Sequence, residues 1–247
     1  MIFYFLYILV SPLIIILILF LSLFNKKIRQ KILNGTSSRI QAYKHINKNK
    51  GNKELVIFHA ASAGEFEQLK PILSKVNRDK YYILQTFFSP TVYNAEYQNS
   101  LFDSCCYHPF DLPFSALIFF YHFKPKKYII TRHDLWPHHI IISSLLQIQS
   151  ILINANLYDE SKRLNGKSVY FHKFIFNKFE KILVGSNRIA KLFISLIDEN
   201  KIVITGDSRF DQVEERKKHN KLTTFNDWDP DKTIMFASID ESDISII

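Results

Sequence analysis

The stretch ELVIFHAASAGEFEQLKP, residues 54–71, decides how this chain is read. Its apolar run Leu55-Val56-Ile57-Phe58 ends in His59, passes through small residues to Gly64, and opens a helical pattern at Glu65. That order predicts a buried strand, a tight turn and a helix N-terminus, where α/β sheets bind ligands. A carboxylate at the mouth of such a turn is expected to be exposed, free of packing and kept ionised by the helix dipole. Glu65 is therefore the leading candidate for a catalytic group.

Outward from this stretch, apolar runs alternate with helical segments. Strands are predicted at 55–59, 81–86, 104–107, 127–131, 150–154, 181–185 and 201–205, and helices near 65–77, 90–98, 113–123, 136–147, 162–180 and 187–198. This alternation predicts a mostly parallel sheet. Six loops then fall at one carboxyl edge: 59–65, 86–90, 132–134, 154–156, 185–187 and 206–209. The aromatic segment 114–123 reads as core, with part of it able to meet acyl chains.

The 247 residues are 47% hydrophobic and 22% charged, a globular composition. Two adjacent cysteines, Cys105 and Cys106, offer neither a bridge nor a zinc spacing, so a reducing compartment and no metal or other cofactor are expected. The net charge of +9 is local. Residues 25–53 carry nine Lys/Arg and no acid, while the other 23 bases are matched by 23 acids. A nucleic-acid surface is not expected from so confined a patch.

The patch follows Ile2–Phe24, 23 residues without a charge. Length and flanking bases predict a single-pass transmembrane anchor with the remainder on the cytoplasmic side. Residues 25–53 then read as a basic juxtamembrane linker lying against anionic headgroups, with two readings open: its bases only fix topology, or some also meet an anionic lipid substrate. Beyond the sheet, 211–231 reads as a helix and linker, and 232–247 as the start of a second domain.

Several loops together resemble one family, the 3-deoxy-D-manno-octulosonic acid (Kdo) transferases. The similar segments are HAASAGEFEQLKPIL (59–73), QTFFSPTVY (85–93), YHPFDLP (107–113), DLWP (134–137), NANLYDES (154–161) and VITGDSRFD (203–211), in the family's order. The resemblance implies a metal-independent, inverting GT-B glycosyltransferase at the inner face of the inner membrane. In it, residues 54–210 form a Rossmann-like acceptor domain and the truncated region from 232 begins the nucleotide-binding one. The implied donor is CMP-Kdo and the implied acceptor a lipid A precursor (lipid IVA). Glu65 matches the family's general base, and Asp134 and Arg209 match positions that stabilise the transition state.

The sequence departs from the family pattern in three places. Asp134 stands where Glu is usual, Arg209 where Lys is frequent, and Asn156 where an Arg is expected. Other roles stay open for individual residues: Asp134 as cap of a helix starting at Trp136, and Arg209 as a solvated loop charge. Ser62, Gly64, Ser89 and Ser186 are candidate substrate contacts, with turn and cap roles as their alternative. His59 reads as a satisfied, partly buried histidine, and His108, His133, His138 and His139 form no hydrolase triad. Two further functions stay open: a non-catalytic remnant that binds lipid or a partner, and a related glycosyltransferase acting on another membrane lipid.

Overall fold

The computed structural model describes residues 2–219 together with Asp229, Lys232, Thr233 and Phe236. The expected start of a second domain at 232–247 and the linker before it lie largely outside these residues. By contacts the chain divides into units Met1–Val213 and Glu214–Ile247. In the second unit, Lys218 pairs with Glu215 at 3.1 Å.

Seven strands form one sheet: β1 (Glu54–Ala60), β2 (Tyr81–Phe87), β3 (Ser104–Tyr107), β4 (Lys127–Thr131), β5 (Gln149–Ala155), β6 (Lys181–Val184) and β7 (Ile202–Ile204). Their order is β3-β2-β1-β4-β5-β6-β7, with every pairing parallel. Strand order reverses between β1 and β4, the switch point at which such sheets open a crevice. Alternation within β1 divides the core. Leu55 and Ile57 face one apolar cluster, and Val56, Phe58 and Ala60 face the other. Buried on both faces, the strand needs the unbroken apolar run that the sequence supplies.

Against the Val56/Phe58 face pack α3 (Ala63–Leu73), through Phe66, Leu69 and Leu73, and α4 (Pro90–Glu96), through Val92. The opposite face takes α5 (Pro113–Phe123), α6 (Pro137–Leu145), α7 (Ser168–Phe176) and α8 (Asn187–Ile194). α7 is shorter than predicted, because Gly166 turns the chain with φ +68°, a conformation that stops a helix from continuing through it. A last helix, α9, runs from Ser208 to His219.

The N-terminal region departs most from expectation. α1 (Ile2–Phe24) is followed at Asn25 by a second helix, α2 (Lys26–Asn49), whose N-terminal amides at Lys27 and Ile28 donate to the Asn25 side chain. The basic segment is therefore a packed helix rather than a linker. It buries Lys31, Gly35, Ser38, Ala42 and Ile46, a helical stripe whose small middle residues allow close approach to the sheet. Ser38 Oγ accepts the Tyr107 amide at 3.2 Å, and the Tyr82 hydroxyl meets His45 Nδ1 at 2.6 Å.

This packing distinguishes two neighbouring serines. Ser38→Val leaves the buried Tyr107 amide without its acceptor and is expected to destabilise the protein by about 1–3 kcal/mol in chemical denaturation. Ser37→Val, on the exposed face, is expected to stay within roughly 0.5 kcal/mol of the parent. Equal effects at both positions would refute the packed arrangement of α2.

Candidate active site

The crevice at the ends of β1 and β4 is built first by a capping box. Ser62, the N-cap of α3, accepts the Glu65 amide at 3.4 Å. In return, Glu65 Oε2 accepts the amides of Ala61 at 2.7 Å and Ser62 at 3.3 Å. Glu65 is thus neither fully exposed nor free of structural duty. Burial and the neighbouring Asp134 carboxylate raise its pKa to about 7, against the pull of the two amides. The expectation of a carboxylate held firmly ionised by the helix is corrected here. Desolvation and a like charge outweigh the dipole.

Asp134 follows β4 through Arg132, which has φ +61°. It does not cap α6. The N-cap is Trp136, with no side-chain cap bond. Instead, Asp134 Oδ2 lies 3.6 Å from His59 Nε2, and both atoms are buried without a hydrogen-bond partner among the described residues. His59 is fully buried rather than partly so, and only half satisfied. Thr86 Oγ1 donates to the Phe58 carbonyl at 3.2 Å, so its contact with His59 Nδ1 at 3.0 Å takes the imidazole proton. In the neutral ring, Nε2 then faces Asp134 as a second acceptor. Burial lowers the pKa of His59 while Asp134 draws it back up, so His59 and Glu65 both feel the Asp134 charge.

Lys31 adds a cation that sequence reading had absorbed into the basic run. Its Nζ sits 2.8 Å from the Phe88 ring centroid and donates to the Phe88 carbonyl at 3.3 Å. Burial pushes its pKa well down, while Asp134 draws it back up. Nothing in the local sequence marks Lys31 apart from its neighbours.

Beside Asp134 stands a second cluster. His133 is held down in pKa by burial and then by Arg163, Arg132 and Arg209. Arg163 donates to the His133 carbonyl at 3.0 Å, and Tyr158 Oη meets His133 Nε2 at 3.3 Å. Arg209 is half exposed and forks onto Asp207 Oδ2 through Nε (2.9 Å) and Nη2 (2.6 Å). It therefore stands with the arginine cluster around His133. Asn154, with φ +49°, pins this loop: its Nδ2 donates to Ser208 Oγ at 2.7 Å, and Ser208 Oγ donates to the Gln68 carbonyl of α3 at 2.7 Å.

The remaining candidates divide. The Ser62 and Ser186 hydroxyls both accept cap amides, from Glu65 and Ile189. Ser89 is the N-cap of α4 but makes no side-chain cap bond. A Cβ on Gly64 would meet only open space, so the backbone there is accessible from outside.

Because Glu65 binds its proton more tightly folded than unfolded, its contribution to stability is complete below about pH 4.5 and is lost as pH rises through about 7. Glu65→Gln imitates the protonated acid and retains capping. Its stability advantage over the parent in chemical denaturation is expected to grow between pH 5 and pH 8, by on the order of 1–2 kcal/mol after solvent screening is allowed for. A pH-independent difference would show that Glu65 titrates in its ordinary range.

Residues 34–212 match the family described as 3-Deoxy-D-manno-octulosonic-acid transferase (kdotransferase). The chain is 28% identical over 190 residues to the 3-deoxy-D-manno-octulosonic acid transferase of Haemophilus influenzae, covering 74% of this chain and 44% of that protein. Over 243 residues it is 24% identical to the Rickettsia felis protein of the same name, covering 91% of this chain and 52% of the relative. The Aquifex aeolicus protein is 32% identical over 136 residues, covering 55% and 35%. The chain thus spans about half the length, or less, of these curated relatives. Among solved structures, the UDP co-structure of S. aureus MnaA aligns with a TM-score of 0.52 at 8% identity, covering 68% of this chain and 48% of that one. That likeness supports a Rossmann-like parallel fold alone. The family match covers all seven strands and the crevice except Lys31, and the chain belongs to the Kdo transferase family.

Proposed function

We propose that this chain supplies the acceptor-side half of a GT-B glycosyltransferase that moves Kdo from CMP-Kdo to a lipid A precursor, with Glu65 as general base. The observation that carries this reading is the Glu65–Asp134 pair at the β1/β4 switch point, with Glu65 held near neutrality. A base is most useful when its pKa lies near the working pH. Glu65 takes the proton of the attacking acceptor hydroxyl as the new glycosidic bond forms at the anomeric carbon. The bond to CMP breaks on the opposite face, which inverts the centre.

Asp134 does not take the proton itself in this scheme. Its charge raises the proton affinity of Glu65, and its unpaired Oδ2 faces His59. Arg209, with Arg132 and Arg163 near His133, offers fixed positive charge for the carboxylate of Kdo or the phosphate of CMP. This gives the site cations although Asn156 replaces the arginine expected in that loop. The accessible Gly64 backbone and the free cap hydroxyl of Ser89 are positions for sugar contacts. We place the protein at the cytoplasmic face of the inner membrane, held there by α1.

The test fuses residues 1–213 to the C-terminal half of the Rickettsia felis relative and supplies CMP-Kdo and lipid IVA, with product read by mass spectrometry. Glu65→Ala is expected to lower the rate by about 10²–10⁴-fold. Retention of full activity would sink the base assignment. In the parent, the rate is expected to rise with pH through about 7 as Glu65 loses its proton. Asp134→Asn removes the like charge and moves that rise to lower pH. An unmoved profile would show that the two carboxylates do not communicate.

A further inference from the structure

The alternation of β1 puts His59 on the face of Leu55 and Ile57, toward α5 and α6. The ring is buried there, with His108 packed on it at 4.0 Å and Trp136 edge-on at 5.6 Å between centroids. An imidazole so placed gives up its water at both nitrogens and needs a partner for each.

The neighbouring ring of His108 shows what a histidine kept for packing looks like. Its Nδ1 donates to the Pro109 carbonyl at 2.9 Å, and its Nε2 accepts from the Tyr128 hydroxyl at 2.7 Å. Both nitrogens are satisfied and the tautomer is fixed. His59 differs. Its Nε2 stands 3.6 Å from Asp134 Oδ2, and neither atom has a hydrogen-bond partner among the described residues. With the Thr86 hydroxyl on the Phe58 carbonyl, two buried acceptors confront each other beside Glu65.

A second arrangement of the same atoms removes that conflict without charging the ring. Thr86 Oγ1 has one hydrogen and two acceptors within reach, the Phe58 carbonyl at 3.2 Å and His59 Nδ1 at 3.0 Å. When the hydroxyl donates to Nδ1, the ring proton is lodged on Nε2, and no net proton is gained or lost. The neutral ring suits its surroundings. Burial lowers the His59 pKa, Lys31 of α2 and His139 of α6 push the same way, and Asp134 opposes them. His108, beyond β3, is itself kept neutral by burial and adds no charge.

We propose that His59 is a positioning residue for Asp134: with its proton on Nε2 it donates to Oδ2, fixes the carboxylate against the crevice wall and limits how much of its charge reaches Glu65. Thr86 selects that tautomer by donating to Nδ1. The role deepens the reading of Glu65 as general base and rests on it, since the Asp134 charge is what His59 moderates. It also accounts for a polar ring at the end of a strand that is otherwise apolar on this face.

The test uses the 247-residue chain in detergent micelles, with nitrogen-15 histidine and carbon-13 glutamate carboxyls read by NMR. The His59 signals are assigned by their loss in His59→Gln, and the Glu65 signal by its loss in Glu65→Gln. The ring proton of His59 is expected on Nε2; a proton on Nδ1 would overturn the proposal, whatever the variants do. A glutamine amide reaches the place of Nε2, whereas an asparagine amide reaches only that of Nδ1. His59→Gln is therefore expected to leave the Glu65 midpoint within about 0.2 pH units of the parent, and His59→Asn to raise it by about 0.5–1 unit. Equal midpoints in the two variants would refute the role of Nε2. In an Asp134→Asn background, His59→Asn is expected to leave the Glu65 midpoint unmoved, and a shift that persists there would show that His59 does not act through Asp134. These readouts need no substrate, so they are separate from the base assignment. Full transfer by Glu65→Ala would sink that assignment and leave the His59 tautomer and its coupling to Asp134 as measured.

Discussion

Everything at the candidate site depends on a reversal of strand order. β1 lies between β2 and β4, so its neighbours' connections diverge and leave the carboxyl ends of β1 and β4 uncovered. The turn after β1 delivers Glu65 into that gap, and the turn after β4 delivers Asp134. Two carboxylates from distant parts of the chain are thereby brought together in a partly dry crevice. Burial, and then the Asp134 charge, disfavour ionisation of Glu65.

The same crevice gathers buried groups that a stability-driven design would avoid. His59 Nε2, Asp134 Oδ2 and Trp136 Nε1 are buried without hydrogen-bond partners among the described residues. Lys31 is buried over an aromatic ring instead of opposite a carboxylate at contact distance. Arg132 and Asn154 hold left-handed backbone at the ends of adjacent strands. Strain and unsatisfied polarity concentrated at one sheet edge are the physical marks of a site rather than of a core.

Family membership and site chemistry stand on different supports. The match over residues 34–212 concerns the fold and the loops it carries. The roles proposed for Glu65, Asp134 and the arginines rest on the raised pKa of Glu65 and on fixed charge at named atoms. Arg209 bonds to Asp207 and keeps company with Arg132 and Arg163. Reaching a donor would require Arg209 to offer its outer face while Asp207 holds the inner one.

Strand positions were legible in the chain itself because each buried parallel strand needs a continuous apolar run, and 104–107 and 127–131 fall where those runs predict. Glu65 at a helix start was legible for the same reason, since Ser62-Ala-Gly-Glu65 spells its own capping box. α2 was not legible as a packed helix: its buried stripe of Lys31, Gly35, Ser38, Ala42 and Ile46 holds one large apolar residue, and the surrounding bases mask its period. The pKa of Glu65, the orphaned face of His59 and the Tyr7–Asp111 bond of α1 belong to the tertiary structure alone. Each arises from groups 69 or more positions apart in the chain, and local sequence carries no information about a charge, an acceptor or a wall that folding brings from elsewhere.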